Sequence, residues 1–203
     1  MSTIVQLPLN NQRRWSSQLE SRKLVTATLL GAAIAVVKAP FTFPVTDYLI
    51  IVEVPILAIS FLLLGRGGAT YTGLVNGLLQ SAVKVNFFPF DLLFGVSFGV
   101  LVDLFGTLLK VRSGEHTSAK RMMAALGLAS IVLGVGITYL YLAFNLPLGV
   151  NLTGYSTTEL LEVVYVPILV WGLLSGVLGG FVSARVWERN LRARFKAVQP
   201  TIA

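Results

Sequence analysis

MMAALGLASIVLGVGITYLYLAF, residues 122–144, runs for twenty-three positions without one charged side chain. A bilayer hydrocarbon core takes ~20 residues of helix to cross, so the stretch is long enough to span it. It also lacks the alternating or one-faced pattern of an element that meets water on one side. Five further apolar runs flank it: Leu24 to Val37, Tyr48 to Leu64, Ala69 to Val83, Phe88 to Leu109 and Leu160 to Val182. The composition agrees. Of 203 residues 55% are hydrophobic and only 12% charged, with a mean hydropathy of +0.77. Soluble domains carry about 25% charged residues, so this chain could not cover a globular surface in water. A soluble enzyme, a disulfide scaffold and a disordered tail are excluded together. The absence of cysteine also removes thiolate nucleophiles and Cys-ligated metals.

The breaks between runs have their own chemistry. Pro40 and Pro44 interrupt the first connection, Gly65-Arg66-Gly67-Gly68 makes a tight second, and Lys84-Val85-Asn86 followed by Pro89 marks the third. Lys110 to Arg121 is a polar linker, and Pro147 to Thr158 is a loop rich in Gly, Asn, Ser and Thr. The expected fold is therefore all-α: a polytopic membrane protein, a bundle of six transmembrane helices with both termini cytoplasmic. Residues 1–203 form a single membrane domain, divided into an interfacial segment over 1–23, the bundle over 24–184 and a basic cytoplasmic tail over 185–203.

Charge placement sets the orientation. With both termini inside, Arg13, Arg14, Arg22, Lys23, Arg66, Lys110, Arg112, Lys120, Arg121, Arg185, Arg189, Arg192, Arg194 and Lys196 are cytoplasmic, 14 of the 16 basic residues. Only Lys38 and Lys84 fall outside, the asymmetry that the positive-inside rule requires. The net charge of +7 is thus an orientation signal, and no nucleic-acid partner is expected. Localisation in the cell membrane follows.

Small residues four apart mark helix contact faces in lipid. Ala27, Gly31 and Ala35 form one on the first helix, Gly95 and Gly99 continue to Asp103 on the fourth, and Gly172, Gly176 and Gly180 lie on the sixth. Internal packing suffices for the latter two, whereas the first competes as a partner-facing surface. Ionisable groups within spans are functional candidates by default. Lys38, Asp47, Glu53, Lys84, Asp91, Glu159 and Glu162 all map outward, leaving Asp103 alone in an inner half. That distribution suggests an outward cup with a closed floor rather than a pore.

Several of these groups share faces. Asn76, Gln80 and Lys84 are spaced by four, a polar stripe climbing the third helix. Glu159 and Glu162 stand one turn apart at the mouth of the sixth, with Tyr165 on the same side. Tyr139, Tyr141 and Asn145 end the fifth, and Asn151, Thr153 and Tyr155 lie on the loop beyond. Aromatic walls with a few placed polar groups suit a small-molecule pocket. Plainer roles compete: tyrosines at helix ends form aromatic belts, Glu159 could cap its helix, Trp171 could be packing, and Asp103 could bind neighbouring helices. His116, the one histidine, sits in the polar linker with no partner at metal-ligand spacing. No hydrolase, zinc-protease or phosphate-loop motif is present. Neither catalysis nor a metal nor a cofactor is expected, and active transport would need a partner or an ion for energy.

These residues resemble those of the substrate-binding S components of energy-coupling factor (ECF) transporters, over residues 22 to 190. Ala27-xxx-Gly31-xxx-Ala35 is similar to that family's small-residue motif, although the family usually has alanine where Gly31 stands. Val52-Glu53-Val54-Pro55 through Leu64-Gly65-Arg66-Gly67-Gly68-Ala69, followed by Thr72-Gly73-Leu74, resembles its second and third helices. Phe88 to Gly99 and the polar loop before the sixth helix fit the same plan. The resemblance implies a six-helix bundle that captures a vitamin or related micronutrient in an outward cup and topples in the membrane to release it. It also implies docking through Ala27, Gly31 and Ala35 onto a transmembrane T subunit, with ATPases as separate chains. The metal-transporting members carry an N-terminal histidine where this chain has Met1-Ser2-Thr3, which disfavours a metal substrate. Five outer acids against two bases favour a cationic or hydrogen-bonding heterocycle, thiamine-like. A stand-alone secondary transporter or channel would place more polar groups in the inner half, and a structural membrane scaffold would leave the cup without a ligand.

Overall fold

The computed structural model describes residues 9–41, 45–85, 88–113, 116–144, 157–160, 162 and 166–191. Helix α1, Leu9–Lys38, is about 45 Å long at 1.5 Å per residue. Its basic first half joins the apolar Leu24–Val37 run without a break, because no glycine or proline separates them. Pro40 stops it soon after Lys38. A single turn, α2 (Val45–Tyr48), leads into α3 (Ile50–Leu64). Gly65 and Gly67, at φ +79° and +85°, then reverse the chain into α4 (Gly68–Val83). Only glycine takes that backbone region freely, which is why the turn is so short.

Helix α5, Phe90–Leu108, is followed by two two-residue strands, β1 (Arg112–Ser113) and β2 (His116–Thr117), paired antiparallel. Beyond them lie α6 (Ala119–Phe144), the single turn α7 (Thr157–Leu160) and α8 (Val166–Val186), which ends in a π-helical turn over Trp187–Leu191. Apart from the small ladder and short turns, the described residues are helical. All six apolar runs of the sequence form helices. In the sixth run, Leu160 ends the turn α7 and the long helix α8 is described from Val166 onward.

Among the described residues, three helices are long and apolar enough to cross a membrane: Phe90–Leu108, Ala119–Tyr139 and Val166–Leu191. At fifteen residues α3 is about 22 Å long, and α4 at sixteen about 24 Å, both short of the ~30 Å hydrocarbon core. Large apolar side chains cover the outside, among them Leu29, Val36, Val83 and Leu108, each more than 60% exposed. Water would penalise such a surface, whereas lipid tails would not.

Glycines set the helix contacts. The closest partners are α6 with α8, α4 with α5, α1 with α4 and α3 with α8. A Cβ on Gly73 would run into the Gly95 carbonyl, and one on Gly95 would lie 2.6 Å from the Gly73 carbonyl. Gly176 would meet the Leu126 carbonyl at 2.7 Å, and Gly180 the Met123 Cα at 2.7 Å. These pairs touch backbone to backbone, leaving no passage between α4 and α5 or between α6 and α8. The centre is filled by Val54, Leu57, Leu62, Phe98, Val102, Met122 and Leu126, all fully buried.

The first small-residue stripe requires a correction. Ala27, Gly31 and Ala35 are buried within the chain, and a Cβ on Gly31 would come 2.7 Å from the Thr72 carbonyl and from Val75 Cβ. They let α1 lie flush on α4 and are not open to a partner subunit. The exposed face of α1 carries Leu24, Val25, Leu29 and Val36 instead.

This packing separates two kinds of glycine. Gly95→Val should lower unfolding stability by about 3 kcal/mol, since the added atoms meet backbone that cannot yield. A Cβ on Gly136 would meet nothing within 4 Å, so Gly136→Ala should gain ~0.5–1 kcal/mol of helix propensity. Reversible unfolding in mixed micelles measures both; equal effects would contradict the assigned contacts.

Candidate functional site

The polar groups gather where the C-terminal ends of α1 and α4 meet the starts of α3 and α5. Lys38 Nζ lies 2.7 Å from Glu53 Oε2, with side chains only 14% and 5% exposed. Asn76 Nδ2 donates to the other carboxylate oxygen, Glu53 Oε1, at 3.0 Å. One turn further along α4, Gln80 Nε2 donates to the Ala35 carbonyl at 3.2 Å. Lys84 Nζ then donates to the Lys38 carbonyl at 3.3 Å and to Thr46 Oγ1 at 3.1 Å, linking the end of α1 to α2. The 3.6-residue helical repeat produces this ladder: residues 76, 80 and 84 fall on one face, turned toward α1 and α3.

Beside the ladder is a cavity of about 80 Å³. Lys38, Thr46, Glu53, Asn76, Gln80 and Asp91 form its polar wall, while Phe94, Phe98, Leu133, Ile137 and Ile168 form much of the apolar one. Ser130 contributes a hydroxyl from α6. Among the described residues, Asn76 Oδ1, Gln80 Oε1, Asp91 Oδ2 and Ser130 Oγ are buried without a hydrogen-bond partner. No three acidic or histidine side chains converge on a metal-sized space among the described residues.

The opposite end of the bundle is basic. Lys23 and Arg66 line one recess between α1 and α4, and Arg66, Lys110 and Arg112 line the next. Arg121 Nη1 donates to the Lys110 carbonyl at 3.2 Å, and Glu188 Oε1 accepts from the Thr117 amide at 3.1 Å, which brings the end of α8 to the same side. Asp103 belongs to this half and has a structural role. Its carboxylate accepts from the Thr70 amide at 2.8 Å, from Thr70 Oγ1 at 2.6 Å and from the Ala69 amide at 3.3 Å. It caps α4 from a neighbouring helix, satisfying N–H groups a helix start leaves open.

Of the residues singled out from sequence, Asn76, Gln80 and Asp91 line the cavity and Lys84 braces its rim. Tyr139 does not join them; it is 69% exposed on the outer surface of α6. Glu159 and Glu162 are also exposed, and neither lines the cavity. Asn145, Asn151, Tyr155 and Tyr165 lie outside the described residues. Trp171 is structural: its Nε1 donates to the Tyr48 carbonyl at 2.8 Å and the two rings pack edge to face.

Sequence reasoning marks Lys38 and Glu53 as outward charges but does not place them in the site. The usable signal is a base ending one apolar run and an acid early in the next. Ser130 gives no signal, being one hydroxyl in an apolar run. Searches against protein families, curated proteins and solved structures matched nothing to this chain.

The buried pair can be tested by a double-mutant cycle. Lys38→Met and Glu53→Leu should each cost about 3 kcal/mol or more, because either leaves a buried charge without its counter-ion. The double variant should be less damaged than the two losses added together, with a coupling of ~1 kcal/mol or more. Additive losses would show that the pair contributes no coupling.

Proposed function

We propose that this chain is a membrane-embedded substrate-capture subunit, of the kind found as the S component of ECF transporters. In this reading six helices cross the membrane with both termini cytoplasmic. The Lys38–Lys84 end faces out, and a vitamin or related micronutrient binds there. Separate T and ATPase subunits supply the energy. The observation that carries the proposal is the one-sided polar cavity: buried polar groups with open valences at one end, and helices in backbone contact below them. A channel needs a polar route through the bundle, whereas here the space beneath the cavity is filled by Phe98, Val102, Leu57 and the glycine contacts.

Orientation rests on the charge separation. The basic end, with Lys23, Arg66, Lys110, Arg112 and Arg121, belongs in the cytoplasm by the positive-inside rule, which turns the cavity outward. The short α3 and α4 reach the bilayer's two faces only where the membrane thins around them. Since α4 covers Ala27, Gly31 and Ala35, a T subunit has to dock on another surface.

Purification of the tagged chain from its own membranes tests the proposal. The expected result is a T subunit and ATPases in comparable amounts, with micronutrient uptake that requires ATP. A chain that purifies alone and supports ATP-independent uptake would instead be a secondary transporter. Asn76→Leu should abolish small-molecule binding while leaving helix content intact; unchanged binding would remove the cavity from the site.

A further inference from the structure

We infer that the cavity selects an uncharged molecule presenting N–H donors, such as the amino or amide edge of a small heterocycle, over a carboxylate or a compact cation. The inference rests on the capture reading and narrows it to a ligand chemistry. Two amides have their orientation fixed by their partners. Asn76 Nδ2 faces a carboxylate oxygen of Glu53, and Gln80 Nε2 faces the Ala35 carbonyl. Both partners can only accept, so each side chain's nitrogen and oxygen are assigned without ambiguity. The remaining atoms, Asn76 Oδ1 and Gln80 Oε1, are therefore true acceptors. Both residues are more than nine-tenths buried and line the cavity, and neither oxygen has a partner among the described residues.

Asp91 Oδ2 adds a third open acceptor on the same wall, and Ser130 Oγ faces the space from α6. Leaving buried acceptors unpaired is costly, so a ligand that donates to them is favoured and one offering only lone pairs is not. Charge does not make the choice. Within the lining Lys38 is paired with Glu53, and the remaining Asp91 carboxylate is offset by Lys84 just outside it, so the four charges in and beside the cavity balance. Neither a net anion nor a net cation gains from the local field. Size sharpens the inference: at about 80 Å³ the space is below the ~300 Å³ at which drug-sized pockets begin. It therefore takes a small molecule or the donor edge of a larger one.

Ligand-observed NMR on the purified chain in lipid nanodiscs tests this with four probes: 2-aminopyrimidine, pyrimidine, acetate and acetamidinium. The expected result is 2-aminopyrimidine binding about tenfold more tightly than pyrimidine, the difference one satisfied buried acceptor confers, and more tightly than either ion. Gln80→Met should bring 2-aminopyrimidine down to the level of pyrimidine. Unchanged pyrimidine binding in that variant shows that the cavity persists. Equal binding of the two pyrimidines by the unaltered chain, or tighter binding of acetate or acetamidinium, would overturn the donor assignment and leave the capture reading standing. Failure of all four to bind would also overturn the donor assignment, while co-purification of the T subunit and ATPases judges the capture reading separately.

Discussion

The contact between Lys38 and Glu53 is the interaction on which the polar end of this protein depends. Two charges withdrawn into an apolar bundle are tolerable only when each holds the other and the remaining valences are met. Here Asn76 takes the second carboxylate oxygen. Those two partners fix α3 against both α1 and α4. Lys84 then holds the connection after α1 through Lys38's own carbonyl and Thr46. The ion pair and its neighbours thus join α1, α3 and α4, bring α2 to the same end, and form part of the cavity wall.

The rest of the bundle is held by a different principle. Beside and below the cavity, glycine lets backbones approach until dispersion contacts replace any need for polar pairing. Gly73, Gly95 and Gly99 do this between α4 and α5, and Gly176 and Gly180 between α6 and α8. Asp103 completes the arrangement by capping α4 from α5. The two principles divide the molecule into a polar end with open valences and a closed remainder. That division is what supports the proposal of a cup rather than a pore.

Much of this organisation is legible in the sequence. Long apolar runs announce helices, and periodicity brings Asn76, Gln80 and Lys84 onto one face, where the structure has them. What escapes is anything decided by packing between runs. Spacing by four identifies a close-contact face on α1 but not which neighbour fills it, so Gly31 suggests a partner subunit when α4 occupies that side. Lys38 and Glu53 lie fifteen residues apart on different helices, and no local pattern encodes their pairing. Tyr139 has the composition of a pocket wall, but its angular position on α6 turns it outward. Glu159 reads as an acid at the mouth of the sixth helix, but it is exposed and does not line the cavity.

If the cavity opens outward, the basic end lies inside, and the two ends can be distinguished by chemical labelling. The chain has no cysteine, so single cysteines at the two ends report their side of the membrane directly. Val85→Cys, exposed beside the cavity end, and Arg66→Cys, exposed at the basic end, can each be treated in intact cells with a membrane-impermeant maleimide. Labelling is expected at position 85 in intact cells and at position 66 only after permeabilisation. The reverse pattern, or labelling of both in intact cells, would contradict an outward cup above a cytoplasmic basic end.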